Sequence, residues 1–182
     1  MPSILEVSQE KDSSDCGFFC AYIAAEINKG IPPLSINFTR DDIYRFRNRH
    51  MGLSYPGKSP KTYVGMNAAP MMPVLLGLAG AHNYEVRKYD KGDKVEFLRR
   101  YMPPTTRDAM LISMPVHKHW VMIIGPEFKG QRYIYDSSNL SKKGHLTLAK
   151  TDELDEFFPY ATDIVTRPYA TSVKRRSSRV AA

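Results

Sequence analysis

The apolar run at residues 16–28, CGFFCAYIAAEIN, constrains the fold more than any other segment of the chain. Its apolar side chains recur in a helical pattern. Ser13-Ser14-Asp15 precedes the run as candidate caps, and Gly30 follows it as a stop signal. The pattern predicts a helix whose first residue is Cys16.

A second helix is predicted from Thr39 to about Met51, because Thr39-Arg40-Asp41-Asp42 is similar to a capping box. Gly52 is expected to end it. Residues 52–66 are rich in Gly, Pro, Ser and Lys and indicate a surface loop or a lid.

The remaining segments alternate between short helical and strand patterns. Helical patterns occur at Pro70–Ala81, Lys94–Tyr101 and Glu153–Phe158, and strand patterns at His82–Tyr89, Met110–Met114, Trp120–Ile124, Arg132–Tyr135 and Asp163–Tyr169. This order predicts an α+β domain with a mixed or antiparallel sheet covered on one face by helices.

A chain of 182 residues with 42% hydrophobic residues suits one compact catalytic domain, predicted at residues 1–172. The formal net charge is +7, and part of the excess lies in residues 173–182. This tail is predicted to be disordered. It is either a solvated end or a contact for nucleic acid, a membrane surface or an import receptor.

The longest apolar stretches, Met71–Ala81 and Met110–Ile124, are interrupted and fall short of the roughly 20 residues that cross a membrane. The first residues show no secretory signal pattern. Cys16 and Cys20, four positions apart on a helix, cannot pair without distorting it. The sequence therefore predicts free thiols in the cytosol or nucleus, of the host cell or in a virion if the source is a pathogen.

Cys16 is the candidate nucleophile. A thiol reacts as the thiolate, and a helix N-terminus together with a nearby imidazolium favours that form. Cys20, one turn later, is expected to point toward the packing face of the helix. A cysteine on an apolar helix is more often a small core residue, so Cys16 needs partners before it indicates catalysis.

The segment from His117 to Asp136 supplies such partners. His119 precedes an apolar strand, a turn containing Gly follows, and the next strand ends at Asp136. Antiparallel strands joined in this way can set the imidazole beside the carboxylate, which orients it. His117 remains an alternative, since it lies on the same face of an extended segment as His119.

Gln9 stands shortly before Cys16. Its side-chain amide, with the Cys16 backbone N–H, can stabilise the oxyanion of an acyl-transfer intermediate. An ordinary surface role for Gln9 is equally consistent with the sequence.

The segment Gln9-x6-Asp15-Cys16-Gly17-x-Phe19, followed by INFTRDDIYRFRNRHM, resembles the nucleophile region of the Ulp/SENP SUMO proteases and the adenovirus-type proteases. His119-Trp120 and Tyr135-Asp136-Ser137 resemble the other half of that superfamily. The separation of His119 and Asp136 equals the typical one there, which selects His119 over His117. The resemblance implies a papain-like cysteine protease fold. No cofactor is expected, although the adenoviral resemblance adds a possible role for DNA bound by the basic tail.

The order of the blocks differs from that family, in which His and Asp precede Gln and Cys. Circular permutation explains the difference, because triads are defined by geometry and not by chain order. The order Cys, His, Asp is also that of other papain-like peptidases.

The resemblance also implies substrate contacts by Asp15, Gly17 and Trp120. SUMO proteases clamp a Gly-Gly tail between two tryptophans, and this chain has one. Half the clamp is therefore missing, or another aromatic residue such as Tyr55, Tyr63 or Phe19 replaces it.

These observations predict a cysteine protease or isopeptidase acting on a protein substrate: a ubiquitin-like (SUMO-like) modifier tail or a viral or host polypeptide. A deamidase or acyltransferase uses the same first half-reaction and stays open. A non-catalytic module that binds nucleic acid or a ubiquitin-like protein is a third class. The histidines and cysteines show no metal-ligand spacing, so no metal is expected.

Overall fold

The computed structural model describes residues 7, 9, 15–54, 69–89, 97, 100–138, 146–150, 153–154 and 160–168. Within these ranges the chain is α+β. Its helices are α1 (Cys16–Asn28), α2 (Arg40–Ser54) and α3 (Met72–Ala79), and its strands are β1 (Glu85–Lys88), β2 (Ala109–Met114), β3 (His119–Phe128), β4 (Gln131–Tyr135), β5 (Leu146–Lys150) and β6 (Asp163–Thr166).

The six strands form one sheet in the order β1-β6-β2-β3-β4-β5, and every neighbouring pair is antiparallel. In β3, Trp120 and Met122 pack into the core cluster that contains α1, whereas Val121 and Ile123 join a second cluster. The expectation that one face of the sheet is covered is therefore wrong. The second face is covered too, by residues that include Phe97, Tyr101 and Leu154.

Helix α1 is buried along nearly its whole length and packs against α2, α3 and β3. This burial explains why its sequence is apolar almost all round. Phe18 makes an edge-to-face contact with Phe46 of α2, with ring centroids 6.0 Å apart. Gly30, with φ of 89°, follows the helix as the sequence predicts.

Helix α2 begins at the predicted capping box. The Thr39 backbone N–H donates to the Asp42 carboxylate at 2.7 Å, and the Asp42 N–H donates to the Thr39 hydroxyl oxygen at 3.2 Å. The expected stop at Gly52 is wrong, because the helix continues to Ser54. The first three residues of the predicted loop at 52–66 are thus helical, and the others lie outside the described residues.

The other predicted elements are confirmed with shifted bounds where the structure describes them. Helix α3 and strands β1, β2, β4 and β6 fall at the expected places, and β3 extends further than predicted. Strand β5 was not predicted. Most of Lys94–Tyr101 and Glu153–Phe158, and the whole tail at 173–182, lie outside the described residues. None of the described helices has the length and hydrophobicity needed to span a membrane.

Candidate active site

Cys16 is the first residue of α1, as the sequence predicts. The Asp15 carbonyl accepts hydrogen bonds from the N–H groups of Phe18 and Phe19 and so starts the helix. The Cys16 thiol is 2% exposed, and its Sγ lies 3.6 Å from the Lys118 carbonyl oxygen. The residue just before His119 therefore contacts the candidate nucleophile, at the positive end of the α1 dipole.

Strands β3 and β4 place His119 beside Asp136. His119 opens β3, Asp136 directly follows β4, and the two strands pair antiparallel with Met122 opposite Tyr135. His119 Nε2 lies 2.8 Å from Asp136 Oδ1. The side chains are 4% and 3% exposed, so this contact is shielded from water. The predicted proximity of His119 and Asp136 is confirmed.

The electrostatics of the pair favour a charged imidazole. Burial by itself lowers the pKa of His119, but the hydrogen bond that His119 donates to Asp136 and the contact with Cys16 outweigh it and raise the pKa from 6.5 to about 9. The raised pKa favours an imidazolium at neutral pH, held between the Asp136 carboxylate and the Cys16 sulfur.

His117 does not share this position. Pro115–His117 forms a short 3-10 turn, and Lys118 has a φ of 49°, so the segment is not extended as the alternation argument assumed. The His117 side chain is exposed and its ring packs edge-to-face on Tyr160, with centroids 4.5 Å apart. The structure thus brings His119, and not His117, to Asp136.

Gln9 lies next to the His–Asp pair. Its backbone N–H donates to the Ser137 carbonyl at 3.1 Å, and the Ser137 hydroxyl donates to Gln9 Oε1 at 2.9 Å. These two bonds attach the segment before Cys16 to the residue after Asp136. The structure therefore joins the two blocks of sequence on which the candidate site was predicted.

The residues expected to contact substrate are interior in this structure. The Trp120 side chain lies in the core cluster of α1, and Gly17 is buried within that helix. Phe19, offered as a replacement for the missing clamp residue, is fully buried as well. None of these three residues presents a surface to solvent, so their role in substrate binding stays a prediction.

Asp15 is also buried, and its carboxylate is held by α2. Arg47 Nη1 lies 3.2 Å from Asp15 Oδ1 and 3.1 Å from Oδ2, and the guanidinium stacks over Tyr44. Asp15 occupies the N-cap position but makes no side-chain cap bond. Its carboxylate therefore anchors α2 to the start of α1 instead of satisfying the helix N–H groups.

Two buried polar side chains, Cys20 and Tyr135, lie behind the site and are uncharged. The Cys20 thiol points to the Trp120 carbonyl oxygen at 3.7 Å, and burial, then Cys16 and Asp136, raise its pKa well above the ordinary value. The Tyr135 hydroxyl finds no partner among the described residues, and burial raises its pKa too. Cys20 is thus a neutral core thiol, as expected from its place on the helix.

Ser138 was missed by the sequence reasoning. Its hydroxyl lies 3.1 Å from Asp136 Oδ1 and 3.1 Å from His119 Nε2. The only signal was the Ser-Ser pair after Asp136, which is also typical of an ordinary turn.

The described residues contain no cluster of three or more His, Cys, Asp or Glu side chains that could hold a metal ion. The sequence matches no protein-family model and no curated protein. The roles of these side chains are therefore argued from their geometry, burial and charge.

Proposed function

We propose that the chain is a papain-like cysteine hydrolase, a protease or isopeptidase, with Cys16 as nucleophile, His119 as general base and Asp136 as the residue that orients His119. The observation that carries this proposal is the buried 2.8 Å contact of His119 with Asp136 beside a cysteine at a helix N-terminus. A charged, fully buried histidine is costly unless it is paired, and perturbed groups of this kind concentrate at functional sites.

In the proposed reaction the Cys16 proton passes to His119 before the attack, so that a thiolate lies beside the imidazolium, and Cys16 Sγ then attacks the carbonyl carbon of the scissile bond. Because Asp136 accepts the hydrogen bond from Nε2, Nδ1 is the nitrogen that exchanges this proton. His119 then protonates the leaving amine as the C–N bond breaks, which leaves a thioester on Cys16. A water molecule, deprotonated by His119, hydrolyses the thioester and restores the free thiol.

Gln9 is the proposed partner of the Cys16 backbone N–H in stabilising the oxyanion. The hydroxyl of Ser137 donates to Gln9 Oε1 and thereby fixes which end of the amide is the donor. An amide held in this way is preorganised, which is what makes oxyanion stabilisation effective.

The papain-like fold is part of the same proposal. The nucleophile helix α1 packs directly on β3, the strand that carries His119, which is the layer arrangement such a site needs. Circular permutation of an Ulp/SENP-type or adenovirus-type ancestor accounts for the order Cys, His, Asp. The proposed substrate is the C-terminal tail of a ubiquitin-like protein or a viral or host polypeptide, in the cytosol or nucleus.

Covalent capture tests this proposal. The protein is incubated with ubiquitin or SUMO carrying a C-terminal electrophile, and intact mass is measured. We expect a single adduct, lost in Cys16→Ala and kept in Cys20→Ala, because the Cys20 thiol is buried and neutral. Circular dichroism of both variants shows that they are folded.

The outcomes separate the alternatives. An adduct that persists in Cys16→Ala contradicts the assigned nucleophile. Turnover of an acyl substrate only when an amine acceptor is present indicates acyl transfer, since the thioester intermediate is common to both reactions. Failure of both modifiers to react excludes ubiquitin and SUMO as the substrate.

A further inference from the structure

We propose that Ser138 is a positioning residue that holds Asp136 and His119 in register and keeps the imidazole of His119 charged. This inference rests on the proposed function of the Cys16–His119–Asp136 site and assigns a further residue to it. The Ser138 hydroxyl contacts both Asp136 and His119, but no role for it follows from the sequence.

Asp136 Oδ1 is the centre of the arrangement. It accepts from His119 Nε2 at 2.8 Å, from the Ser138 backbone N–H at 3.0 Å and from the Ser138 hydroxyl at 3.1 Å. The backbone bond closes an Asx turn directly after β4. Two of the three donors therefore come from Ser138, which fixes the rotation of the carboxylate.

The direction of the Ser138 hydroxyl follows from the strengths of its acceptors. It carries one hydrogen, and an ionised carboxylate accepts more strongly than a neutral group does. The hydrogen is therefore directed to Asp136 Oδ1. The hydroxyl oxygen lies 3.1 Å from His119 Nε2 and 3.4 Å from Nδ1, so it is at the ring edge between the two nitrogens.

This placement favours the charged form of His119. The oxygen end of the hydroxyl dipole faces the ring, where it stabilises a positive charge on an imidazole that is itself 4% exposed. A hydroxyl group does not titrate at these pH values, so its effect appears through His119 alone. Removal of Ser138 Oγ takes away that dipole and also one of the bonds that aim Asp136.

Two titratable groups, Cys16 and Asp136, also favour the charged form of His119, and the contribution of Ser138 adds to theirs. Cys16 faces His119 from α1, Asp136 faces it from the end of β4, and Lys118 precedes it in the chain. Cys20 and Tyr135 lie behind Cys16 and Asp136, and burial keeps both neutral. In the described part of the chain, Ser138 is an uncharged residue whose hydroxyl contacts both Asp136 and His119.

The test compares Ser138→Ala with Ser138→Thr, which keeps the hydroxyl. For Ser138→Ala we expect kcat to fall about tenfold with KM unchanged, because one hydrogen bond to a charged group is lost. We also expect the alkaline limb of the pH profile to move to lower pH. Ser138→Thr should restore most of the lost kcat and reverse most of the shift of the alkaline limb. Ser35→Ala, an exposed serine far from the site in sequence, is the matched control.

A second readout needs no substrate. The rate of iodoacetamide labelling at Cys16, measured against pH by peptide mapping, should show an inflection set by the titration of His119, and this inflection should undergo the same displacement to lower pH in Ser138→Ala. If the wild type hydrolyses no substrate and this displacement is still seen, the hydrolase proposal fails and the positioning role stands. If Ser138→Ala has the wild-type pH profiles, whether or not its melting temperature drops, the positioning role is overturned.

Discussion

Asp136→Ala is expected to lower kcat/KM roughly 10²–10⁴-fold while the protein stays folded, because His119 then loses the group that orients it. In the native site the imidazole is buried and its Nε2 has a carboxylate oxygen at 2.8 Å. Without that oxygen the ring loses the acceptor that orients it, and the imidazolium loses the carboxylate as a buried counter-charge. Steady-state kinetics on a substrate identified by covalent capture measures the loss.

Asp136→Asn separates orientation from charge. An amide oxygen still accepts from Nε2, so we expect a smaller loss of activity than in Asp136→Ala. The negative charge is gone, while burial still lowers the pKa of His119. His119 therefore loses its proton at lower pH, and the alkaline limb of the pH profile should move from about 9 toward the ordinary value of 6.5.

The matched control is Asp108→Ala. Asp108 is also a buried carboxylate, paired with Arg167 at 2.8 Å, and it precedes β2 at the end of that strand opposite the one facing His119. This variant should lose stability but keep the alkaline limb at about 9. An Asp136→Asn enzyme with the same limb as the wild type would contradict the pairing of Asp136 with His119.

Arg47→Met is expected to destabilise the fold by about 3 kcal/mol, because it leaves a buried carboxylate without its partner. The Asp15 side chain is 2% exposed and that of Arg47 is 25% exposed, so water replaces the lost guanidinium only in part. For a chain of this size the melting temperature should drop by roughly 6–12 °C. The same change loosens the start of α1, where Cys16 lies.

Two further variants isolate the cause. Arg49→Met changes an exposed arginine on the same helix and should cost less than about 0.5 kcal/mol. Asp15→Asn combined with Arg47→Met removes both charges and should recover most of the stability. A double variant as unstable as Arg47→Met alone would show that packing of the arginine stem, and not the unpaired carboxylate, explains the loss.

The sequence predicted α1, its start at Cys16 and the meeting of His119 with Asp136 because these depend on local patterns. A cap, an apolar run and a hairpin of two apolar strands leave few other arrangements. Strand β5 was missed, because LTLAK is short and its alternation is as compatible with a helix end as with an edge strand. Gly52 failed as a stop, since glycine inside a helix costs only about 1 kcal/mol.

The burial of Trp120 and the ion pair of Asp15 with Arg47 could not be predicted from spacing. Which strand residues reach solvent depends on whether one or both faces of the sheet are covered, and here both are. The partner of Asp15 lies on a different helix, which a local pattern does not specify. Ser138 looked like a turn residue because its contacts arise only when β3 and β4 pair.

The most direct test of the Cys16–His119 pair is the rate of iodoacetamide labelling at neutral pH, resolved by peptide mapping, in the wild type and in His119→Ala. An imidazolium beside a thiol favours the reactive thiolate. We expect rapid labelling at Cys16 alone, with Cys20 unlabelled, and a loss of roughly tenfold or more in His119→Ala. Equal rates in the two proteins, or labelling that begins at Cys20, would contradict the proposed catalytic site.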